Sequence, residues 1–285
     1  MRSLSSGSPG GEPALPDSPA FAITDAEFAR FQALVQEQTG IHLSEVKKAL
    51  VVARLGSRVR LRQAMSFSGY YKILSNPRES AELQIAIDLI TTNETSFFRE
   101  KEHFELLKEH VRGLRPVPFP FRVWSAASSS GEEAYSIAMV LGDLLGASEW
   151  EVLGTDISTR ILERARKGLY SLERSSTIPK DYLHRFCLKG QGDFEGMFLM
   201  GKALKARTSF RQVNLCQPLP DLGKFDLVFL RNILIYFQAE QKRIVVESIL
   251  EKMKPQALLI VGHSESLNGI TNRIVPVRTT VYRVA

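Results

Sequence analysis

The stretch from Arg122 to Leu145, taken with Asp156, constrains this chain more than any other. Val123-Trp124-Ser125-Ala126 has the apolar character of a buried strand end, and Ala127-Ser128-Ser129-Ser130-Gly131 is a loop of small residues. From Glu132 to Leu145, the residues Tyr135, Ile137, Ala138, Val140, Leu141 and Leu144 recur at helical spacing. A second strand-like run, Val152-Leu153-Gly154-Thr155, then delivers Asp156. A small-residue turn between strand and helix lets a ligand approach the backbone, and an acid closing the next strand holds ribose hydroxyls. The pattern predicts a nucleoside cofactor on a Rossmann-like sheet.

The loop lacks GxGxxG, and Glu132 and Glu133 open the helix. A pyrophosphate wants bare N–H groups at a helix N-terminus, and two acids there would repel it. They would instead attract an ammonium or sulfonium, which turns the reading from a dinucleotide toward S-adenosylmethionine. The same acids also complement the helix macrodipole, as first-turn acids commonly do.

The rest of the chain is read around that core. Residues 1–20, rich in Ser, Gly and Pro, are expected to form a flexible tail without the apolar stretch of a signal peptide. Residues 21–90 read as a small helical domain. Asp25–Gln38 carries Phe28, Phe31, Leu34 and Val35 on one stripe, Ser44–Gln63 carries Leu50, Val51, Leu55 and Val59, and Ala81–Ile90 is apolar. Residues 91–120 read as a loop (Thr91–Glu100), a helix (Lys101–Leu114) and a proline-stiffened connector. From Phe121 to Ala285, strands and helices alternate, which implies a largely parallel sheet covered by helices. Expected strands are Phe210–Leu215, Phe225–Leu230, Ala257–Gly262 and a pair within Arg273–Val284. Expected helices are Ser158–Gly168 and Ala239–Met253, the latter stopped by Pro255. Residues 178–209 exceed what a link between strands needs and read as an inserted β element.

Cys187 and Cys216 form neither a disulfide framework nor a metal-ligand spacing, which suits a reducing cytosol, and no metal is expected. No run approaches the roughly 20 apolar residues of a membrane span. The formal charge of +6 permits an acidic partner. Nucleic acid is disfavoured, because the basic residues lack interleaved aromatics and a recognised binding module.

Five segments in order, TTNETSFFRE, RVWSAASSSGEEAYSIAMVL, GTDIS, FDLVFLRNILIYF and LLIVGHSESL, resemble the chemotaxis receptor methyltransferases, the CheR family. The resemblance covers about residues 22–285. It implies an α/β fold: a Rossmann-like S-adenosylmethionine methyltransferase sheet with an N-terminal all-helical domain and a small inserted β-subdomain. It implies methyl transfer from S-adenosylmethionine to glutamates in the cytoplasmic methylation helices of chemoreceptors, by a cytoplasmic monomer that does not insert into the membrane.

By position, the resemblance implies cofactor contacts from Asn93, Thr95, Arg99, Glu133, Asp156, Asn214, Leu215, Arg231 and Asn232, with Arg99 and Tyr236 nearest the chemistry. Other roles suit several of these residues. Asn93, Thr95 and Asp156 are good helix caps, Arg99 could pair with Glu102 or Glu105, Asn214 and Asn232 are good turn residues, and Tyr236 could pack in the core. The basic second helix, with Arg54, Arg58 and Arg62, is the expected docking face for an acidic receptor, although such a face is often merely solvated. Rival readings are a methyltransferase acting on a small molecule and a cofactor-binding regulatory module without turnover.

Overall fold

The computed structural model describes residues 21–114 and 116–285, so the tail expected over residues 1–20 lies outside the described residues. The first unit is four helices. Helix α1 (Asp25–Thr39) opens on a capping box between Thr24 and Glu27 and stops at Gly40, whose φ of 71° is the left-handed conformation that glycine accepts without strain. Helix α2 (Lys48–Leu61) starts later than Ser44, because Glu45–Lys47 wind a tighter single turn first. Helix α3 (Phe67–Leu74) was not anticipated. It is a short helix capped by Ser66 that buries Phe67, Tyr70 and Leu74. Helix α4 (Ser80–Ile90) completes the unit. Phe31 lies at its centre, edge-on to Phe67 at 5.7 Å between ring centroids.

The three arginines expected to form a docking face, Arg54 and Arg58 of α2 and Arg62 just after it, all have internal partners. Arg58 and Arg62 both reach Glu82 on α4, a side chain only 2 % exposed. Tyr70 donates to the same carboxylate at 2.6 Å, and Arg62 also binds Glu79 at 2.9 Å. Burial raises the Glu82 pKa, but hydrogen bonds from Arg58, Tyr70 and Arg62 outweigh it and hold the carboxyl at about 2. Arg54 turns to the end of α4, where one guanidinium nitrogen donates to the carbonyls of Leu89, Ile90 and Thr91. Long cationic side chains are thus holding two helices together.

Helix α5 (Glu102–Gly113) leads to the second unit. Its strands are β1 (Phe121–Ser125), β2 (Trp150–Asp156), β3 (Leu169–Ser171), β4 (Cys187–Lys189), β5 (Met197–Met200), β6 (Thr208–Gln212), β7 (Phe225–Leu230), β8 (Met253–Val261), β9 (Ile274–Arg278) and β10 (Val281–Val284). Its helices are α6 (Glu132–Leu145), α7 (Thr159–Lys167), α8 (Lys180–Phe186), α9 (Lys202–Arg207) and α10 (Ala239–Leu250). The main sheet has the order β6-β2-β1-β7-β8-β10-β9. Its first five strands are parallel, and the last two form an antiparallel hairpin on β8. Every residue of β7 is buried, as a central parallel strand covered on both faces requires. The α5 and α6 side chains cover one face and α10 the other.

Three boundaries differ from the sequence expectation. Strand β6 ends at Gln212, so Asn214 lies beyond the strand rather than in it. Helix α10 ends at Leu250, and Pro255 sits inside β8, where a register shift opposite Phe225–Leu227 absorbs its missing N–H. The small second sheet, β3-β5-β4, already begins at Leu169.

The sheet order reverses between β1 and β7, so a crevice opens at the carboxyl ends of these neighbouring strands. Helical-unit contacts close its side. Asn214 Nδ2 donates to the Gln38 carbonyl at 2.7 Å, and the His42 N–H to the Tyr236 carbonyl at 3.0 Å. Asp88 of α4 accepts from the N–H groups of Thr159 and Arg160, so one unit caps a helix of the other.

Candidate active site

The loop after β1 is pinned by backbone bonds on both sides. The Ala126 N–H donates to Phe229 O at 2.8 Å, and the Ser128 N–H to Thr155 O at 2.7 Å. Gly131, just before α6, has φ of 95°, and a Cβ there would lie 2.9 Å from the Ala165 Cβ, so a larger residue would push α7 away. The loop's three serines are buried, leaving a tight turn against which a flat ligand can lie.

Asp156 closes this turn. One carboxylate oxygen accepts the Ser129 N–H at 3.0 Å and the other the Ser158 N–H at 3.0 Å. Burial nevertheless pushes its pKa up to about 6, those N–H groups opposing the rise. The residue faces the cleft beside Ile157 and retains unused lone pairs. Capping and ligand binding are therefore compatible roles for it.

The two glutamates at the start of α6 separate. Glu132 is fully buried, accepts from Ser130 Oγ at 2.6 Å and is touched by Arg174, and burial raises its pKa. It does not line the cleft, which corrects its pairing with Glu133 as a cation attractor. Glu133 does line the cleft. Its oxygens accept from Ser125 Oγ and from Arg231 Nη1, each at 2.7 Å. Arg231 is in turn shared with Glu100, whose Oε2 lies 2.8 Å from Nη2. Burial raises the Glu100 pKa, but Arg231 and Asn232 overcome that and hold it low. Asn232, at φ 57°, donates to Glu100 Oε1 at 3.2 Å. A cation flanked by two acids leaves the cluster one negative charge in excess, which suits a cationic ligand group.

The remaining walls come from both units. Asn93, Thr95, Arg99 and Tyr236 line the same cleft, as do Ile41, His42 and Lys47. Arg99 donates to the Glu94 carbonyl at 3.0 Å rather than to Glu102 or Glu105. Leu215 and Asn214 line an adjoining, mostly apolar recess that shares Asp156 and Ile157 with the cleft. The Asn214 side chain is held there by Gln38 and Cys216, so its amide is a structural tie. His263 stacks edge-on against His103 at 5.0 Å and does not line the cleft.

Sequence reasoning missed Ser125, Ser129 and Glu100 as partners of Glu133, Asp156 and Arg231. Glu100 carried a signal, being a carboxylate beside Arg99 in a loop with no apolar period. Ile41 and His42 carried none, because they reach the cleft only through tertiary docking.

A parallel sheet with its cleft at the strand reversal, an acid ending the second strand and acids where a pyrophosphate would sit define a nucleoside-cofactor methyltransferase. Residues 26–91 match the family model described as CheR methyltransferase, all-alpha domain, and residues 93–283 match CheR methyltransferase, SAM binding domain. The chain belongs to the CheR methyltransferase family. It is 37% identical over 267 residues to the chemotaxis protein methyltransferases of Salmonella typhimurium and Escherichia coli, covering 93% of this chain and 92% of each relative. It is 37% identical over 268 residues to chemotaxis protein methyltransferase 2 of Pseudomonas aeruginosa, covering 93% of this chain and 95% of that relative. The chain is an S-adenosylmethionine-dependent methyltransferase of chemotaxis. No helix among the described residues is long and apolar enough to cross a membrane.

Proposed function

We propose that the chain methylates glutamate side chains in the cytoplasmic helices of chemoreceptors, forming glutamyl methyl esters. The observation that carries this reading is the lining of the cleft: acids at Glu133 and Asp156, and basic and hydroxyl groups at Lys47, Arg99 and Tyr236. The first set suits a cofactor with a cationic end and a ribose, and the second suits an incoming carboxylate.

Glu133 is assigned to the ammonium of the cofactor, Arg231 to keeping Glu133 in place, and Asp156 to the ribose hydroxyls. Asn93, Thr95 and Asn232 line the walls, and Leu215 packs against the base. The bound cofactor supplies an electrophilic methyl group on a sulfonium. A glutamate has a pKa near 4.3 and arrives as an anion, so no general base is required. Its oxygen–carbon bond forms as the sulfur–carbon bond breaks, and opposite charges cancel. Arg99 and Tyr236 are assigned to orienting that oxygen. Orientation of this kind supplies roughly 7–11 kcal/mol of a barrier.

The test is transfer of radiolabelled methyl to receptor-enriched membranes, followed by mild alkali. Label released by alkali marks a glutamyl ester. Label that withstands alkali, or label found only on small molecules, rejects the reading.

A further inference from the structure

A second recess, of about 310 Å³, opens where α2, α4 and α7 meet, behind the cofactor loop. Four arginines line it: Arg54, Arg160, Arg164 and Arg174. Their known bonds leave most of their donors unused. Arg54 employs one nitrogen on the end of α4, Arg160 places Nη2 3.2 Å from the Asp88 carbonyl, and Arg174 touches Glu132 through Nη1. Arg164 is exposed, and its side chain has no hydrogen bond or ion pair among the described residues. A guanidinium offers five N–H groups, so the free donors are many.

The acids nearby do not balance this charge. Glu132 is ion-paired with Arg174, and Asp88, held by the neutral donors of Thr159, Gln84 and the Arg160 N–H, keeps its charge beside Arg160, so two acids stand against four arginines. Four arginines against two acids leave an excess of positive charge that a further anion would offset, and guanidinium groups pair with carboxylates in forked geometry. The recess adjoins the active-site cleft, since Thr91 and Asn93 line both. A segment that places one glutamate in the cleft therefore brings its neighbouring acids close to the recess.

We propose that this arginine recess seats acidic side chains of the methyl-accepting segment, next to the glutamate being modified. This rests on the receptor reading above and replaces Arg58 and Arg62 as the docking charges. The experiment compares the full chain with Arg160→Glu/Arg164→Glu, using calorimetric binding of a chemoreceptor cytoplasmic fragment at two salt concentrations. The expected result is at least tenfold weaker fragment binding, a smaller salt dependence and unchanged affinity for S-adenosylhomocysteine. Arg164→Lys should retain most of the binding. Unchanged fragment binding in the double variant overturns the proposal, as does equal loss of S-adenosylhomocysteine, which would indicate damage to the loop. Pyrophosphate binding that the double variant loses while fragment binding stays intact also overturns it, assigning the recess to a small anion. Failure of the receptor reading shows separately, as wild-type chain that yields no alkali-labile label.

Discussion

Arg231 Nη1 lies 2.7 Å from Glu133 Oε2, and Nη2 of the same guanidinium lies 2.8 Å from Glu100 Oε2. The arginine side chain is 1 % exposed, so its charge is divided between two acids rather than with water. Glu100 thus governs how much of that charge falls on Glu133. Were Glu133 fully neutralised, a ligand ammonium would gain little from it.

Glu100→Gln should therefore weaken S-adenosylhomocysteine binding about tenfold, or roughly 1.4 kcal/mol. Methylthioadenosine, which has the same nucleoside but no amino-acid end, should bind the variant as it binds wild type. Calorimetry with both ligands checks this. Equal loss for both would mean that the cleft as a whole had shifted.

Asp156 has a pKa of about 6 in the protein, above its ordinary value because burial disfavours the anion. Ribose hydroxyls donate to the ionised form. Affinity for S-adenosylhomocysteine should accordingly rise with pH through about 6 and level off above it. Asp156→Asn should abolish that rise and lower the plateau about tenfold or more. A wild-type affinity that does not change between pH 5 and 7 would remove Asp156 from the ribose site.

Tyr236 lines the cleft, and its backbone carbonyl anchors His42 of the helical unit. Tyr236→Phe keeps the backbone bond and removes only the hydroxyl. S-adenosylhomocysteine affinity should stay within twofold, while turnover falls about 10- to 100-fold, as loss of a hydrogen bond to a charged group implies. Stopped-time methylation assays at saturating cofactor measure it. Wild-type turnover would make the tyrosine a packing residue.

Glu82 stabilises the helical unit through Arg58, Arg62 and Tyr70. Its folded pKa of about 2 lies below the unfolded value of about 4.5, so this contribution is complete above pH 4.5 and is lost as pH falls toward 2. Glu82→Gln should cost about 3 kcal/mol at neutral pH and flatten the stability profile in that acid window. Denaturant melts at pH 3 and pH 7 test both points. A neutral substitution would mean that water screens the pair.

Much of the cleft was legible before the fold was known, because strand–loop–helix alternation puts Glu133, Asp156 and Asn232 at strand carboxyl ends. What escaped was the pairing of groups far apart in the chain. Arg58 finds Glu82 only when α2 packs on α4, so a helix rich in arginine looked like an open docking face. Helix α3 escaped because eight residues give a weak period, and its start is set by a turn with Gln63 and Met65 at positive φ. Pro255 was read as a helix stop because a strand interior seldom accepts proline. Its strand bulges there, and that depends on the neighbouring strand.

The capping of α7 by Asp88 restricts how this protein could be recombined. A chimera taking its first ninety or so residues from one relative and the remainder from another keeps each core intact yet brings together a cap and a helix start of different ancestry. Backbone donors at Thr159 and Arg160 would then meet whatever side chain the foreign half presents. Swaps that carry position 88 and the opening turn of α7 from the same parent avoid that mismatch.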